Sequence, residues 1–296
     1  MRVAAVQTTA GPDRSRNLEA AGVLVEEAVL GGAALVVLPE YFSVAGNPDV
    51  LRWNAEPLDG PTVSWASHLA ERTGSWLLAG SFPERPADDA GPDRRLSNTS
   101  CLISPAGSIE AVYRKIHLFD TTVSGASFCE SATMAPGREL RVTPLDRSDQ
   151  PGGPGQVLGL SLCYDLRFPE MYRIMALLGA TVMAVPAAFT AATGPAHWEV
   201  LLRARAIENQ VFVIGAGQVG RLPAGMPACH GHSMIVDPWG SILAERAEPS
   251  PGVILADLDA GHQREIRSEL PVLVNRRPDA YRWADEETGG DGAHEG

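Results

Sequence analysis

The sequence predicts a single α/β domain whose core is built from layered sheets and helices. Strand and helix patterns alternate from the first residues onward, and apolar residues make up 45% of the 296 residues, enough for a substantial core. No low-complexity linker or internal repeat interrupts this alternation. Residues 284–296 are acidic and rich in glycine, which is typical of a disordered tail, so residues 1–283 form the predicted folded domain.

The first half of the chain contains three apolar runs that predict strands: "VAAVQT", "ALVVLPE" and "WLLAGSF". A helix is predicted between the first two runs, because apolar residues there recur on one helical face: Leu18, Ala21, Val25 and Val29. The segment "SNTSCLISPAGSIEAVYRKIH" predicts a β-hairpin that turns at Pro105-Ala106-Gly107.

In the second half, "VLGLSLCYD" predicts a strand that runs into the helix "PEMYRIMALLGA", with Pro169 at the helix start. The strand "TVMAVPAAF" precedes the helix "TGPAHWEVLLRARAIENQ". Thr193 is a candidate N-cap for this helix, and Glu199 lies four residues before Arg203. The strands "VFVIGAG", "HSMIVDP" and "VILADLD" follow, and a short helix begins at about Asp259.

Charge and composition exclude several classes of function. The net charge of −12 and a pI near 5.0 argue against binding to nucleic acids or anionic membranes. No window approaches the roughly 18 apolar residues of a membrane helix, and the apolar run at the N-terminus is too short for a signal peptide. Four widely spread cysteines do not form a disulfide scaffold. We therefore expect a cytoplasmic protein whose cysteines are thiols.

The segment "VFVIGAGQVG" matches the dinucleotide-binding fingerprint through Gly215, Gly217 and Gly220. That fingerprint requires a helix whose N-terminus faces the pyrophosphate. The residues that follow include Pro223 and Pro227, which prevent a helix from forming. We therefore do not predict nucleotide binding.

Cys229, His230 and His232 could in principle ligate a metal ion. Zinc sites usually draw three or four ligands from two clusters, and the sequence contains no second cluster at a suitable spacing. A loop that enters a strand, with hydrogen-bonded histidines, is the favoured interpretation. We expect no metal site.

Three reactive side chains lie at predicted strand ends, where residues of an α/β sheet converge on a crevice. Glu40 closes "ALVVLPE", Lys115 lies near the end of the hairpin, and Cys163 follows "VLGLSL". Each has a structural explanation when taken singly, because a buried cysteine is usually a packing residue and a glutamate after a strand is usually solvated. Together they fit nucleophilic catalysis by a thiol.

A thiol that attacks a carbonyl needs a base for its proton, a donor for the oxyanion and an acid for the leaving group. A carboxylate in a dry site can act as both base and acid. Lys115 is the single lysine among 24 basic residues, and its compact ammonium suits a crowded point between two other groups better than a guanidinium does.

Motifs in the same order resemble the nitrilase superfamily of carbon–nitrogen hydrolases over residues 3–283. They are "AAVQ", "LPE", "YRKIHLFD", "LCYDLRFPE", "GPAHWEVLLRARAIENQ", "GHSMIVDPWG" and "LPVLVNRRPDAY". The combination is most similar to the branch that contains deaminated-glutathione amidase and ω-amidase. The resemblance implies a four-layer α-β-β-α sandwich that forms α-β-β-α–α-β-β-α dimers, with no metal or organic cofactor.

The resemblance also implies roles for individual residues. Cys163 would be the nucleophile that forms a thioester, and Glu40 the general base and acid. Lys115 would stabilise the oxyanion together with the backbone N–H of Tyr164. Glu130 matches a second glutamate that lies beside the lysine and helps to position the substrate.

Other residues near these motifs are assigned supporting roles. Asp165, Arg167 and Glu170 are expected to hold the turn around the cysteine in shape. Four residues that follow strands or open helices are candidates for the pocket wall, although each could equally be core packing: Tyr41, Phe189, Thr190 and Trp198.

The predicted function is hydrolysis of a small carboxylate-bearing amide, of the deaminated glutathione or 2-oxoglutaramate type. Its partners would then be the amide substrate and a second copy of the chain. N-carbamoyl amino acid hydrolysis and nitrile hydrolysis remain alternatives with the same triad. Nitrilases usually carry tryptophan after the nucleophile, where this sequence has Tyr164, which argues against a nitrile. A catalytically silent interaction protein is a further alternative, less favoured because all three triad positions are filled.

Overall fold

A computed structural model of the chain describes residues 1–85, 93–123, 125–145, 155–221 and 227–281. The predicted tail, residues 284–296, lies outside this range. The strands are β1 (Arg2–Gln7), β2 (Leu35–Val37), β3 (Trp76–Glu84), β4 (Ser97–Ile103), β5 (Ile109–Arg114), β6 (Asp120–Val123), β7 (Ala126–Cys129), β8 (Arg141–Leu145), β9 (Gln156–Leu160), β10 (Val182–Ala187), β11 (Phe212–Gly217), β12 (Val219–Arg221), β13 (Ala228–His230), β14 (Ser233–Val236), β15 (Ile242–Arg246) and β16 (Gly252–Asp257). The helices are α1 (Arg14–Leu30), α2 (Pro48–Trp53), α3 (Pro61–Thr73), α4 (Pro169–Leu177), α5 (Gly194–Asn209) and α6 (Ala260–Glu269).

Two six-stranded sheets form the centre of the molecule. The strand order is β16-β1-β2-β3-β4-β5 in the first sheet and β15-β14-β11-β10-β9-β8 in the second. The central strands β1, β2 and β3 run parallel, as do β9, β10 and β11 in the other sheet. The ends of parallel strands therefore open at the same edge of each sheet. Two small hairpins, β6-β7 and β12-β13, stand apart from the main sheets.

Side-chain alternation along the strands builds four layers. In β1, Val3 and Ala5 pack against residues of the second sheet, whereas Ala4 and Val6 pack against α1 and α3. The outer face of the second sheet is covered by α4 and α5, through residues such as Met175. The order α, β, β, α confirms the predicted nitrilase-like sandwich.

Most predicted elements are present. The face of α1 buries Leu18, Ala21 and Val25, whereas Val29 is only partly buried. β4 and β5 form the predicted antiparallel hairpin, with Gly107 at φ +78° in the turn, a conformation that glycine adopts without strain.

The predicted helix starts are also found. Pro169 occupies the first turn of α4, and the side chain of Asp259 caps α6. Thr193 precedes α5, but its side chain makes no capping bond, because its hydroxyl lies 3.0 Å from that of Thr190 instead. Glu199 and Arg203 form the expected ion pair at 2.9 Å.

The two motifs set aside by the sequence analysis adopt strand and loop structure. Gly220 lies in β12, which pairs with β13, so no helix begins between Gly217 and Arg221. The rings of His230 and His232 stack at 4.3 Å, and His232 Nδ1 lies 2.7 Å from Glu245 Oε1. Within the described ranges, no cluster of three or more His, Cys, Asp or Glu side chains could hold a metal ion, and no helix is long and apolar enough to span a membrane.

Candidate active site

The three predicted reactive residues meet at the edge where the parallel strands end. Glu40 lies three residues beyond β2, and Cys163 lies three residues beyond β9 in the opposite sheet. Lys115 directly follows β5. All three line one cavity of about 340 Å³. The sequence analysis placed Glu40 and Cys163 at the strand ends themselves, and the structure moves both into the loops that follow.

Tight backbone packing holds Glu40 in place. Gly80 in β3 lies against the chain at Pro39, and a Cβ at Gly80 would come within 1.9 Å of the Pro39 carbonyl oxygen, so only glycine fits there. Ser81 Oγ accepts a hydrogen bond from the Tyr41 amide at 2.9 Å, and Gln218 Nε2 donates to the Glu40 carbonyl at 3.0 Å. The loop that carries Glu40 is therefore held in place by β3 on one side and by Gln218, which follows β11, on the other.

Lys115 is buried between two carboxylates. Its ammonium donates to Glu40 Oε1 at 2.9 Å and to Glu130 Oε2 at 2.8 Å, and the residue is 2% exposed. Its carbonyl accepts from the Gly137 amide, where a Cβ would clash with the backbone of Arg114. Burial would lower the pKa of Lys115, but the two carboxylates raise it well above the usual value. The ammonium is therefore charged at neutral pH.

Among the described residues, the Glu130 carboxylate accepts four hydrogen bonds, and Glu130 begins a short 3₁₀ turn, Glu130–Ala132. Lys115 Nζ and the Phe119 amide donate to Oε2, and the Tyr41 hydroxyl and Asn98 Nδ2 donate to Oε1. Burial alone would raise the pKa of Glu130, but Lys115 and these donors lower it. This carboxylate is held in its charged form.

Cys163 opens a second 3₁₀ turn, Cys163–Arg167, with a left-handed φ of +45° that a non-glycine residue rarely adopts. The Asp165 carboxylate stabilises the turn by accepting a hydrogen bond from the Leu162 amide at 2.8 Å. Burial, followed by the nearby charge of Glu40, raises the pKa of the Cys163 thiol well above its usual value, and Lys115 offsets part of this. The resting thiol therefore carries its proton and needs a base.

The sequence matches the carbon-nitrogen hydrolase family over residues 2–268. The chain belongs to this family. It is 42% identical over 281 residues to deaminated glutathione amidase from Homo sapiens, a match that covers 94% of this chain and 83% of the relative. It is 38% identical over 283 residues to omega-amidase NIT2 from Xenopus tropicalis, covering 95% of this chain and 96% of the relative.

The fold of this carbon-nitrogen hydrolase is similar to that of a solved nitrilase-superfamily structure. Nit3 from Saccharomyces cerevisiae, a member of branch 10 of that superfamily, superposes with a TM-score of 0.80 at 31% identity. The match covers 95% of this chain and 97% of the yeast chain. The predicted superfamily is thus confirmed, and relatives named as amidases support amide C–N hydrolysis as its reaction.

The predicted wall residues of the hydrolase differ in position. Tyr41, Tyr164, Phe189 and Thr190 line the cavity. Trp198 does not line it, and that prediction is wrong: the side chain is buried beneath Phe189, with ring centroids 5.1 Å apart, and its indole N–H donates to the His232 carbonyl. Trp198 lies on the buried face of α5 and packs against Phe189, which lines the cavity.

Arg167 lines the cavity, whereas the sequence analysis assigned it to the turn alone. Its guanidinium lies 5.0 Å from the centre of the Phe189 ring and contacts Thr193 Oγ1 at 3.4 Å and His197 Nδ1 at 3.2 Å. None of these partners is a carboxylate. The position four residues after the cysteine, about one helical turn on, is the sequence feature that could have placed this cation beside the nucleophile.

Asn98 is a second residue that the sequence analysis missed. Its Nδ2 lies 2.9 Å from Glu40 Oε1 and 3.1 Å from Glu130 Oε1. The predicted hairpin contained a clue, because Asn98 in β4 lies across from Lys115, whose amide donates to the Asn98 carbonyl. The remaining wall is mostly apolar and includes Phe119 and Phe128, which follow the hairpin, together with the polar residues Asn47 and Ser127.

Proposed function

We propose that the chain is a thiol amidohydrolase that cleaves the C–N bond of a small carboxylate-bearing amide through a thioester on Cys163. The arrangement of the Glu40 carboxylate carries this proposal. Its Oε1 accepts from Lys115 Nζ, while its Oε2 accepts from the Ala188 amide at 2.8 Å, and its charge acts on the Cys163 thiol. One carboxylate therefore contacts the cation and acts electrostatically on the nucleophile.

In the first step, Glu40 takes the proton of Cys163, and the sulfur attacks the amide carbon. Lys115 has three N–H donors, of which two are bonded to Glu40 and Glu130, so the third can meet the oxyanion. The Tyr164 amide is the proposed second donor, because first-turn amides have no partner within their own helix.

In the second step, Glu40 returns the proton to the leaving nitrogen as the C–N bond breaks, and the acyl group remains on the sulfur as a thioester. Water then gives a proton to Glu40 and attacks the thioester carbon, and the proton passes to the departing Cys163 sulfur. The same carboxylate thus serves as base and acid in alternation.

Glu130 is proposed to hold the Lys115 ammonium rather than to move protons. Its carboxylate is the acceptor in all four of the hydrogen bonds described above, and its pKa is lowered. We therefore propose that it remains an anion through the cycle. Its charge balances part of the ammonium charge and fixes the direction of the third N–H.

Arg167 supports a substrate that carries a carboxylate. Its guanidinium lines the cavity wall and pairs with no acidic side chain among the residues that the structure describes, and arginine binds carboxylates through two parallel hydrogen bonds. The relatives named deaminated glutathione amidase and omega-amidase favour deaminated glutathione or 2-oxoglutaramate as the substrate. The cavity has a volume of about 340 Å³, which lies within the range of binding sites for small molecules.

The first test measures 2-oxoglutarate release from deaminated glutathione and from 2-oxoglutaramate in parallel. Both substrates give this product, so one coupled assay compares them directly. Release from one by wild type, and none by Cys163→Ala, identifies the leaving group as Cys-Gly or as ammonia. Release from neither would reject the proposed substrate class and direct the assay to N-carbamoyl amino acids and nitriles.

A second test separates an enzyme from a silent interaction protein. A working Cys163 should be alkylated at neutral pH faster than the buried Cys101 and Cys229, with a rate that depends on pH. Cys129 is exposed on the cavity wall and would also react, so the measurement is made in Cys129→Ser. Equally slow labelling of the other three thiols would favour the silent protein.

We further propose a homodimer formed through the outer layer of α4 and α5. Apolar side chains are exposed there: Ile174, Leu177, Val200 and Ile207. Light scattering after size-exclusion chromatography should give twice the chain mass of 31.4 kDa, and Val200→Glu should reduce it toward that mass. A monomeric wild type would contradict this assembly.

Three further parts of the proposal concern location, cofactors and the tail. A cytoplasmic location is proposed because catalysis requires a reduced Cys163, and cell fractionation tests it. The reaction needs no metal or organic cofactor, so dialysis against EDTA should leave activity unchanged. A chain ending at residue 283 should retain full activity, because residues 1–283 are proposed to form the catalytic domain.

A further inference from the structure

Asn98 is a fully buried polar residue near the start of β4. Its carbonyl oxygen accepts from the Lys115 amide at 3.0 Å, and its Nδ2 lies within hydrogen-bonding distance of Glu40 Oε1 and Glu130 Oε1. One side chain and one carbonyl therefore contact three of the four groups that the proposed reaction uses.

The orientation of the Asn98 amide follows from its neighbours. Both contacts are carboxylate oxygens, which only accept, so the amino group must face them and the carbonyl Oδ1 must point away. Within the described residues, Oδ1 is buried and has no hydrogen-bond partner. A buried acceptor without a partner destabilises a fold. The side chain is therefore better explained by what its amino group does than by stability.

Asn98 and Lys115 bridge the same two carboxylates and close a ring of hydrogen bonds. Glu40 Oε1 accepts from both residues, whereas Glu130 accepts from Asn98 on Oε1 and from Lys115 on Oε2. The ring leaves Glu40 Oε2 to accept from the Ala188 amide, and the charge of this carboxylate acts on the thiol. A rotation of the Glu40 carboxylate would break two of these bonds.

The charge of the ring depends on Asn98 being neutral. Two carboxylates and one ammonium sum to one negative charge, which favours transfer of the thiol proton to Glu40. A second cation in place of Asn98 would cancel this charge. An apolar residue there would leave Lys115 as the one residue that bridges the two carboxylates within the ring.

We propose that Asn98 is a positioning residue, which holds Glu40 in the orientation that takes the proton of Cys163. This inference rests on the proposed thiol mechanism. Asn98 itself touches neither the substrate nor the sulfur and acts through the two carboxylates.

Three variants test the inference: Asn98→Ala removes both donors, Asn98→Asp keeps the shape but places a third carboxyl group in the ring, and Ser100→Ala is the control. Ser100 is the next residue on the same face of β4, and its hydroxyl is also buried without a partner among the described residues. We expect Asn98→Ala to lower kcat by about 10- to 100-fold with KM within about 3-fold of wild type. Ser100→Ala should match wild type.

The pH profile distinguishes positioning from a structural role. Because like charges disfavour ionisation, Asn98→Asp should move the acid limb of kcat to higher pH. The proposal would be overturned if folded Asn98→Ala had the kcat of the wild type and folded Asn98→Asp had an acid limb at the same pH as the wild type. If Asn98→Ala does not fold, Asn98→Ser, whose hydroxyl cannot span both carboxylates, decides by the same criteria.

Alkylation by iodoacetamide separates this inference from the choice of substrate. In the Cys129→Ser background, the rate at Cys163 reports thiol activation without any amide. We expect Asn98→Ala to slow it about 10-fold at pH 7, and an unchanged rate would contradict the inference. If the wild type hydrolyses no amide yet its Cys163 alkylation depends on Asn98, then the proposed substrate fails and the positioning role stands.

Discussion

Asp165 and His117 join the two segments that carry the nucleophile and the lysine. His117 Nδ1 lies 2.8 Å from Asp165 Oδ1, and the His117 backbone amide donates to the same oxygen at 3.0 Å. Asp165 lies two residues after Cys163, and His117 lies two residues after Lys115. This contact therefore ties the segment that carries the sulfur to the segment that carries the ammonium.

Asp165→Asn should weaken both the fold and the reaction. Oδ2 of Asp165 accepts from the Tyr113 hydroxyl and the Leu162 amide, and an asparagine can accept on one oxygen only. The donors left without a partner should cost roughly 2–4 kcal/mol of unfolding free energy, measured by urea denaturation, with a fall in kcat. His117→Phe keeps the stacking on Phe168 at 3.6 Å and should cost less. Equal losses in the two variants would contradict this order.

Lys115→Arg should abolish most turnover while keeping the positive charge. The site between Glu40 and Glu130 is closed, and a planar guanidinium cannot direct three N–H groups at two carboxylates and an oxyanion. We expect kcat to fall by at least about 10²-fold, as when an oxyanion donor is removed. Circular dichroism and the melting temperature control for folding. Intact turnover in Lys115→Arg would exclude the proposed role of the ammonium.

Arg167→Met should discriminate between substrates. A methionine keeps the apolar contact with Phe189 and removes the cation, so binding of an anionic substrate is weakened. We expect kcat/KM for the carboxylate-bearing amide to fall about 10- to 100-fold. Hydrolysis of a neutral amide of similar length should change little. A parallel loss on both substrates would mean that Arg167 only supports the turn.

His230 should make the fold sensitive to acid. Burial and then the neighbouring His232 lower its pKa to about 4, and its ring lies against Gly194 at the start of α5, where a positive charge is unfavourable. The unfolded chain binds this proton near pH 6.5 and the folded chain near pH 4, so stability is lost as pH falls through that window. The melting temperature of His230→Gln should decline less steeply there than that of wild type. The exposed His68→Gln should decline as wild type does.

Local patterns in the sequence were sufficient for most of the layers. The apolar runs that became β2 and β10 and the stripe of α1 follow from spacing alone, because a strand or helix must bury one face. The sequence analysis did not assign α3, although Pro61 and Gly74 mark its ends and its buried residues recur at helical spacing. The edge strands β8 and β15 were also unassigned, since partly exposed strands lack a continuous apolar run.

The reactive residues were identified because each lies beside a predicted strand end. Arg167 and Asn98 were missed for different reasons. The direction of the Arg167 side chain depends on the 3₁₀ turn after Cys163, which no local pattern predicts. The role of Asn98 depends on two glutamates that lie 58 and 32 residues away along the chain. Trp198 was misplaced because its helical face could not be oriented relative to the cavity.

The sequence by itself determined the layered α/β fold and the superfamily and pointed to Glu40, Lys115 and Cys163 as reactive candidates, because periodicity, strand ends and motif order are local properties of the chain. Only the tertiary structure decided how these groups share protons and charge. The hydrogen-bond ring joins residues that are distant along the chain, the raised pKa of the thiol comes from its burial and from Glu40 in the opposite sheet, and the cavity wall brings the Arg167 cation beside them. Such contacts set the burial and the nearby charges of each group, and these control its chemistry.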